Sequence, residues 1–127
     1  MHPISEFKSK SGLKRIFSAF FYSLDGLKCA WRQEHAFRQE LVLLAAGSAG
    51  AMILPLSSLE RLALIAPLVL VLMVELVNSA IESVVDRVSL ERHPLSKNAK
   101  DLGSAAVLLA MTLALVTWGV VLTRHYH

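Results

Sequence analysis

The sequence predicts an all-α membrane protein, with one amphipathic helix lying in the interface followed by three transmembrane helices. Three observations predict this. Of the 127 residues, 54% are hydrophobic and the mean hydropathy is positive, +0.52, a composition suited to an integral membrane chain of one compact domain. The apolar residues gather into three long runs, about 36–56, 62–88 and 102–122. Lysine and arginine collect around the ends of those runs: seven of the thirteen precede Leu41, and four lie from Arg87 to Lys100.

Taken in order, residues 1–12 are polar and hold no apolar core of signal-peptide length, so no cleavage is expected there. Over about 12–35, Leu13, Ile16, Phe17, Phe20, Phe21, Leu24 and Leu27 recur at helical spacing opposite Lys14, Arg15, Ser18 and Asp25. This is the pattern of a helix lying in the membrane surface, and equally of a simple anchor. The first run is the weakest span. About 16 apolar residues from Leu41 to Leu56 reach only ~24 Å, short of a ~30 Å hydrocarbon core, unless the helix extends back through Ala36 and Phe37 or the bilayer thins locally. Pro55, Ser57 and Ser58 mark a tight turn to the second span. Pro67 lies inside that span, where membrane helices tolerate it. Tyr22 and Trp31 at one end, and Trp118 and Tyr126 at the other, suit headgroup depth. The excess of basic residues makes the N-terminus and the 87–101 loop cytoplasmic, and three spans then leave the C-terminus periplasmic.

The second run carries Glu75, Asn78, Ser79, Glu82 and Asp86, which fall within an arc roughly 100° wide at 100° per residue. A carboxylate at the lipid face near mid-membrane costs on the order of 3 kcal/mol, so a stripe of this kind points to function. The alternative is that Glu75, Asn78 and Glu82 only bond neighbouring helices. With Glu34 and Glu40 ahead of the first span, the stripe suits a hard divalent cation, and magnesium needs few protein carboxylates because phosphate and water complete its shell. Lys100 and Arg15 flank the same level and are able to pair with phosphate oxygens. These are ingredients of phosphoryl transfer, with Glu75, about 16 Å deeper than Asp86 by helical rise, as the natural base for a lipid hydroxyl. Asp86 reads equally as a site residue or as a solvated charge beside Arg87. For Asp101, a helix N-cap competes with a nucleotide contact.

Other functions are disfavoured. A net charge of +3 without aromatic-basic interleaving gives no nucleic-acid footprint. The single cysteine, Cys29, excludes an intrachain disulfide. The five histidines share no helical face, and only His93 falls near the stripe. Glycine-rich phosphate loops and soluble-kinase catalytic motifs are missing from the sequence, so a kinase here has another architecture. Met52, Met73 and Met111 read as packing or lipid-facing residues. The Ala45–Ala51 and Gly103–Ala106 runs read as sites of close helix packing.

The segment Glu75-Leu-Val-Asn78-Ser79-Ala80-Ile81-Glu82-Ser-Val-Val-Asp86 resembles the signature of the prokaryotic integral-membrane diacylglycerol kinase family. The likeness extends to Glu34-His-Ala36-Phe37-Arg38-Gln39-Glu40 and to Ala99-Lys100-Asp101-Leu-Gly103-Ser104-Ala105-Ala106, and covers about Gly12 to Trp118. The resemblance implies a homotrimer in the bacterial cytoplasmic (inner) membrane that uses MgATP to phosphorylate diacylglycerol to phosphatidic acid. By matching position it implies Glu75 as base and Glu34 and Glu82 as metal ligands, with Asn78 supporting them. Arg15, Tyr22, Glu34, Glu82, Glu91, Arg92, His93, Lys100 and Asp101 match nucleotide-side positions. Arg15, Trp31, Arg38, Gln39, Glu40, Ser104 and Trp118 match lipid-side or supporting positions. Relatives with a similar core act on undecaprenol, and the motif does not decide between the acceptors. A small oligomeric proton-coupled transporter is the reading from another class. It accounts for a buried Glu75 but less well for the further charges toward the cytosol.

Overall fold

The computed structural model describes residues 12–126, which form four α-helices and, among these residues, no strand. The polar N-terminus expected to be uncleaved, with His2, and the terminal His127 fall outside the described residues, apart from Gly12. The helices are α1 (Gly12–Gln33), α2 (His35–Ile53), α3 (Ser58–Val88) and α4 (Pro94–Tyr126). Two compact units divide after Glu34.

The first unit is α1. Its apolar residues Leu13, Ile16, Phe17, Phe20 and Leu27 are all exposed. The Glu34 amide still donates to the Ala30 carbonyl at 2.9 Å, so the helical bonding runs one residue past Gln33.

The second unit is built on α3, which packs against both α2 and α4. Its buried residues Leu64, Leu68, Val71, Leu72, Glu75 and Asn78 repeat at three- and four-residue steps and make one face. Facing it, α4 buries Gly103, Val107, Ala110 and Ala114, small side chains that let the backbones approach closely. Of the Gly103–Ala106 run only Gly103 takes that role; Ser104, Ala105 and Ala106 are exposed. From the run on α2, Gly47 is pressed against Leu68 and the Trp118 ring, 2.6 and 3.2 Å from where a Cβ would stand.

Both α3 and α4 are long and apolar enough to cross a membrane. Their outer surfaces carry exposed Leu62, Val69, Met73, Leu108, Leu109 and Leu115, side chains that lipid and not water would cover. The chain is therefore described as an all-α membrane protein. The 19 residues of α2 span ~28 Å, because the helix does extend back through Ala36 and Phe37.

Several boundaries differ from expectation, as does the placement of one aromatic side chain. The first apolar run ends as helix at Ile53, not Leu56, and residues 54–57 make the turn. The second begins at Ser58, where Ser57 caps it: Glu60 N–H donates to Ser57 Oγ at 3.1 Å and Ser57 N–H to Glu60 Oε1 at 3.0 Å. The helix then runs unbroken through Pro67. The largest difference is α4, which starts at Pro94 and not near residue 102. Pro at the first helical position has no N–H to leave unpaired, and His93 Nδ1 accepts the Leu95 N–H at 3.1 Å as a cap. The 87–101 loop thus shrinks to residues 89–93. Asp101 is in the helix interior, which rules out the N-cap role for it. Finally, Trp118 does not serve as a headgroup anchor. Its indole N–H donates to the Leu64 carbonyl at 2.9 Å, and its ring joins both core clusters of the helix bundle.

Candidate functional site

The acidic stripe lies along the C-terminal half of α3 and changes character along its length. Glu75 and Asn78 are buried, at 7% and 8% exposure, whereas Asp86 is open. The Asn78 amide donates from Nδ2 to Glu82 Oε1 at 3.3 Å, one turn on. Its Oδ1 is buried without a hydrogen-bond partner and faces Gly103 of α4, so closely that a Cβ there would collide with it. Gly103 and the Asn78 amide therefore fix one another, and the amide in turn orients Glu82. That spacing function of Gly103 was not separable in the sequence from ordinary small-residue packing.

On α2, Glu40 is buried at 7% exposure and within electrostatic reach of Glu75. Its Oε2 is buried with no hydrogen-bond partner, as is Arg38 Nε. Gln39 is exposed and pairs with the His35 ring at 3.3 Å. Glu40 and Trp118 come together along an apolar groove of about 550 Å³, lined also by Gly47, Leu68, Val71 and Met111.

At the outer end, Asp86, Glu91, Arg92, His93, Lys100 and Asp101 line one cavity of about 690 Å³ where α3 turns into α4. Two ion pairs organise it. Lys100 Nζ stands 2.8 Å from Asp86 Oδ1, joining α4 to α3. Lys97 Nζ stands 2.6 Å from Asp101 Oδ2, one helical turn apart. Lys97 was not among the expected residues, and its i,i+4 spacing to Asp101 was the available signal. Lys100 precedes the apolar stretch that begins at residue 102. The Asp86 carboxylate beside it, through hydrogen bond and charge, raises its pKa above the ordinary lysine value. The partner of Asp86 is thus Lys100 and not Arg87.

Ser104 follows Gly103 but is exposed. Arg15, Tyr22 and Trp31 lie on α1, and Glu34 joins α1 to α2; they belong to the first unit.

Among the described residues no three His, Cys, Asp or Glu side chains converge as a ready-made metal cage. The donors on α3 nonetheless fit magnesium, which is held through one or two carboxylates plus substrate phosphates. Glu82 has one oxygen engaged by a neutral amide and is only partly buried.

Fold and site together define a helical membrane protein whose α3 carries a stripe of carboxylates, with an apolar groove beside the bundle and a charged cavity at the stripe's outer end. A family model described as prokaryotic diacylglycerol kinase matches residues 21–122, and the chain belongs to that family. A Pseudomonas aeruginosa protein named diacylglycerol kinase is 55% identical over 118 residues, covering 93% of this chain and 96% of that protein. A protein of the same name from Escherichia coli K12 is 47% identical over 116 residues, 91% and 95% of the two chains. Another from Helicobacter pylori is 48% identical over 108 residues, 85% and 84%.

Proposed function

We propose that the protein transfers the γ-phosphoryl group of MgATP to diacylglycerol, forming phosphatidic acid and ADP at the cytoplasmic face of the bacterial inner membrane. One observation carries the reading: buried Glu75 lies on the same face of α3 as the Asn78–Glu82 pair, and that stripe leads to the cavity holding Lys100 and Asp101. The relatives' name supports the substrate.

In this reading the acceptor lipid brings its primary hydroxyl to Glu75 and its acyl chains along the apolar groove beside Glu40 and Trp118. The Glu75 carboxylate takes the hydroxyl proton as the oxygen bonds to the γ-phosphorus and the β–γ bridging bond breaks. Lys100 neutralises charge on the departing phosphates. Glu34 and Glu82 would hold magnesium, which when bound neutralises phosphate oxygens and aligns them with the acceptor. Asn78 keeps Glu82 in place. Arg15, Tyr22, Glu91, Arg92, His93 and Asp101 serve the nucleotide; Trp31, Arg38, Gln39, Glu40, Ser104 and Trp118 serve the lipid side.

We further propose that α2 is a third span, so that the N-terminus is cytoplasmic and the C-terminus periplasmic. Residues 1–127 would then act as one kinase domain. Glu40 Oε2 and Asn78 Oδ1, buried and without partners, support a site finished by substrate or by further copies of the chain, since such atoms cost free energy when unmet. A homotrimer is the assembly proposed.

The test is ATP- and magnesium-dependent phosphorylation of diacylglycerol and undecaprenol, side by side in mixed micelles, with wild type and Glu75→Gln. Phosphatidic acid from the wild type alone is expected. Polyprenyl phosphate instead would change the acceptor, and no transfer to either would overturn the kinase.

A further inference from the structure

Asp86 is the one carboxylate of the stripe to which the proposed reaction gives no task. It stands four residues beyond Glu82, so the two carboxylates are neighbours on one face of α3. Lys100 pairs with Asp86 at 2.8 Å, with both side chains about half exposed, and it also lies within electrostatic reach of Glu82. One ammonium therefore has two carboxylates before it and rests on the outer one. Lysine is a compact charge on a flexible four-carbon stem, so moving between two adjacent carboxylates needs only rotamer changes. The other nearby acceptor, Asp101, is already taken by Lys97 at 2.6 Å.

We propose that Asp86 is a positioning residue that holds Lys100 one turn away from Glu82 and so keeps Glu82 open to a divalent cation. This rests on the reading of Glu82 as a metal ligand. An ammonium and a divalent cation compete for the same carboxylate oxygens. With Asp86 neutral, the strongest remaining attraction on Lys100 is Glu82, and the lysine becomes an internal competitor of the metal. Asn78 already supplies one donor to Glu82, so a second from Lys100 would leave little of that carboxylate for a metal.

The test is direct titration of the full chain in detergent micelles with Mn2+, a paramagnetic stand-in for magnesium, read by electron paramagnetic resonance without nucleotide. Four proteins are compared: wild type, Asp86→Asn, Lys100→Met and the double variant. Asp86→Asn should weaken Mn2+ binding roughly three- to fivefold when Lys100 is present, the scale of an exposed ion pair. In the Lys100→Met background the same change should cost less than about twofold, because no competitor remains. Asp86→Glu, which keeps the charge, should bind as wild type does. Equal losses in both backgrounds would show that Asp86 acts through its own charge and overturn the proposal. So would no loss in either background, or no Mn2+ binding by the wild type. Phosphoryl transfer to diacylglycerol by the wild type, measured in parallel, separates the two ideas. If transfer persists while the Asp86 loss is equal in both backgrounds, the kinase stands and the role of Asp86 falls.

Discussion

The two ends of α3 treat polar side chains in opposite ways. At the hairpin end the polar side chains close on backbone: Ser57 and Glu60 cap the helix start, and Arg61 donates from Nε to the Ala51 carbonyl at 3.1 Å and from Nη2 to the Leu54 carbonyl at 3.3 Å. Those carbonyls are at the end of α2, which lacks further turns to satisfy them. Toward the other end, side chains bond one another, and Asn78 Oδ1 is left buried and unmet. Polar groups that complete a helix end stabilise the fold. Polar groups held back from the backbone, and not fully paired, are kept for something else.

Substitutions at the two ends should therefore separate activity from stability. The largest effect is expected from Glu75→Gln, which should lower turnover about a thousandfold, within the range that a positioned base supplies, while thermal unfolding in detergent stays level or rises. A parallel loss of stability would break the contrast. Arg61→Met should do the reverse, costing about 2 kcal/mol of stability through two charged donors lost, with kcat at low temperature unchanged. Gly103→Ala tests the junction between the two behaviours. The added methyl meets the Asn78 carbonyl oxygen, so the Asn78–Glu82 bond must shift, and activity should fall about tenfold, or ~1.4 kcal/mol, measured by titrating magnesium against rate. The smallest effect belongs to Ser57→Ala, about 1 kcal/mol of stability from the broken capping box, checked by denaturation in mixed micelles; any change in kcat would blur the distinction.

Much of this architecture was legible in the residues, because hydrophobic runs and helical spacing are local properties. The interfacial pattern of α1 and the acidic face of α3 are read from neighbours a turn apart. What escaped was where one helix starts and which partners meet across helices. Lys97, Asn98, Lys100 and Asp101 look like a loop, yet the Lys97–Asp101 pair and the Pro94 start carry them into α4. The Asp86–Lys100 pair depends on how the 89–93 turn sets α3 against α4, which no periodicity reveals. Trp118 was misplaced for the same reason: an aromatic near a helix end suits an interface, but here the Leu64 carbonyl and Gly47 make room for it inside the bundle. The burial of Glu75 at the deep end of the stripe was legible, whereas the close approach of Gly103 to Asn78 needed both helices in place.

The Arg61 contacts also bear on how the chain enters its membrane. Under the proposed topology the guanidinium must cross the bilayer, and its acceptors, Ala51 in the last turn of α2 and Leu54 in the turn after it, are synthesised just before it. Neither helix alone can satisfy that charge and those carbonyls. The pair from His35 to Val88, inserted together, is the smallest stretch of this chain whose far end arrives with its polar groups already matched.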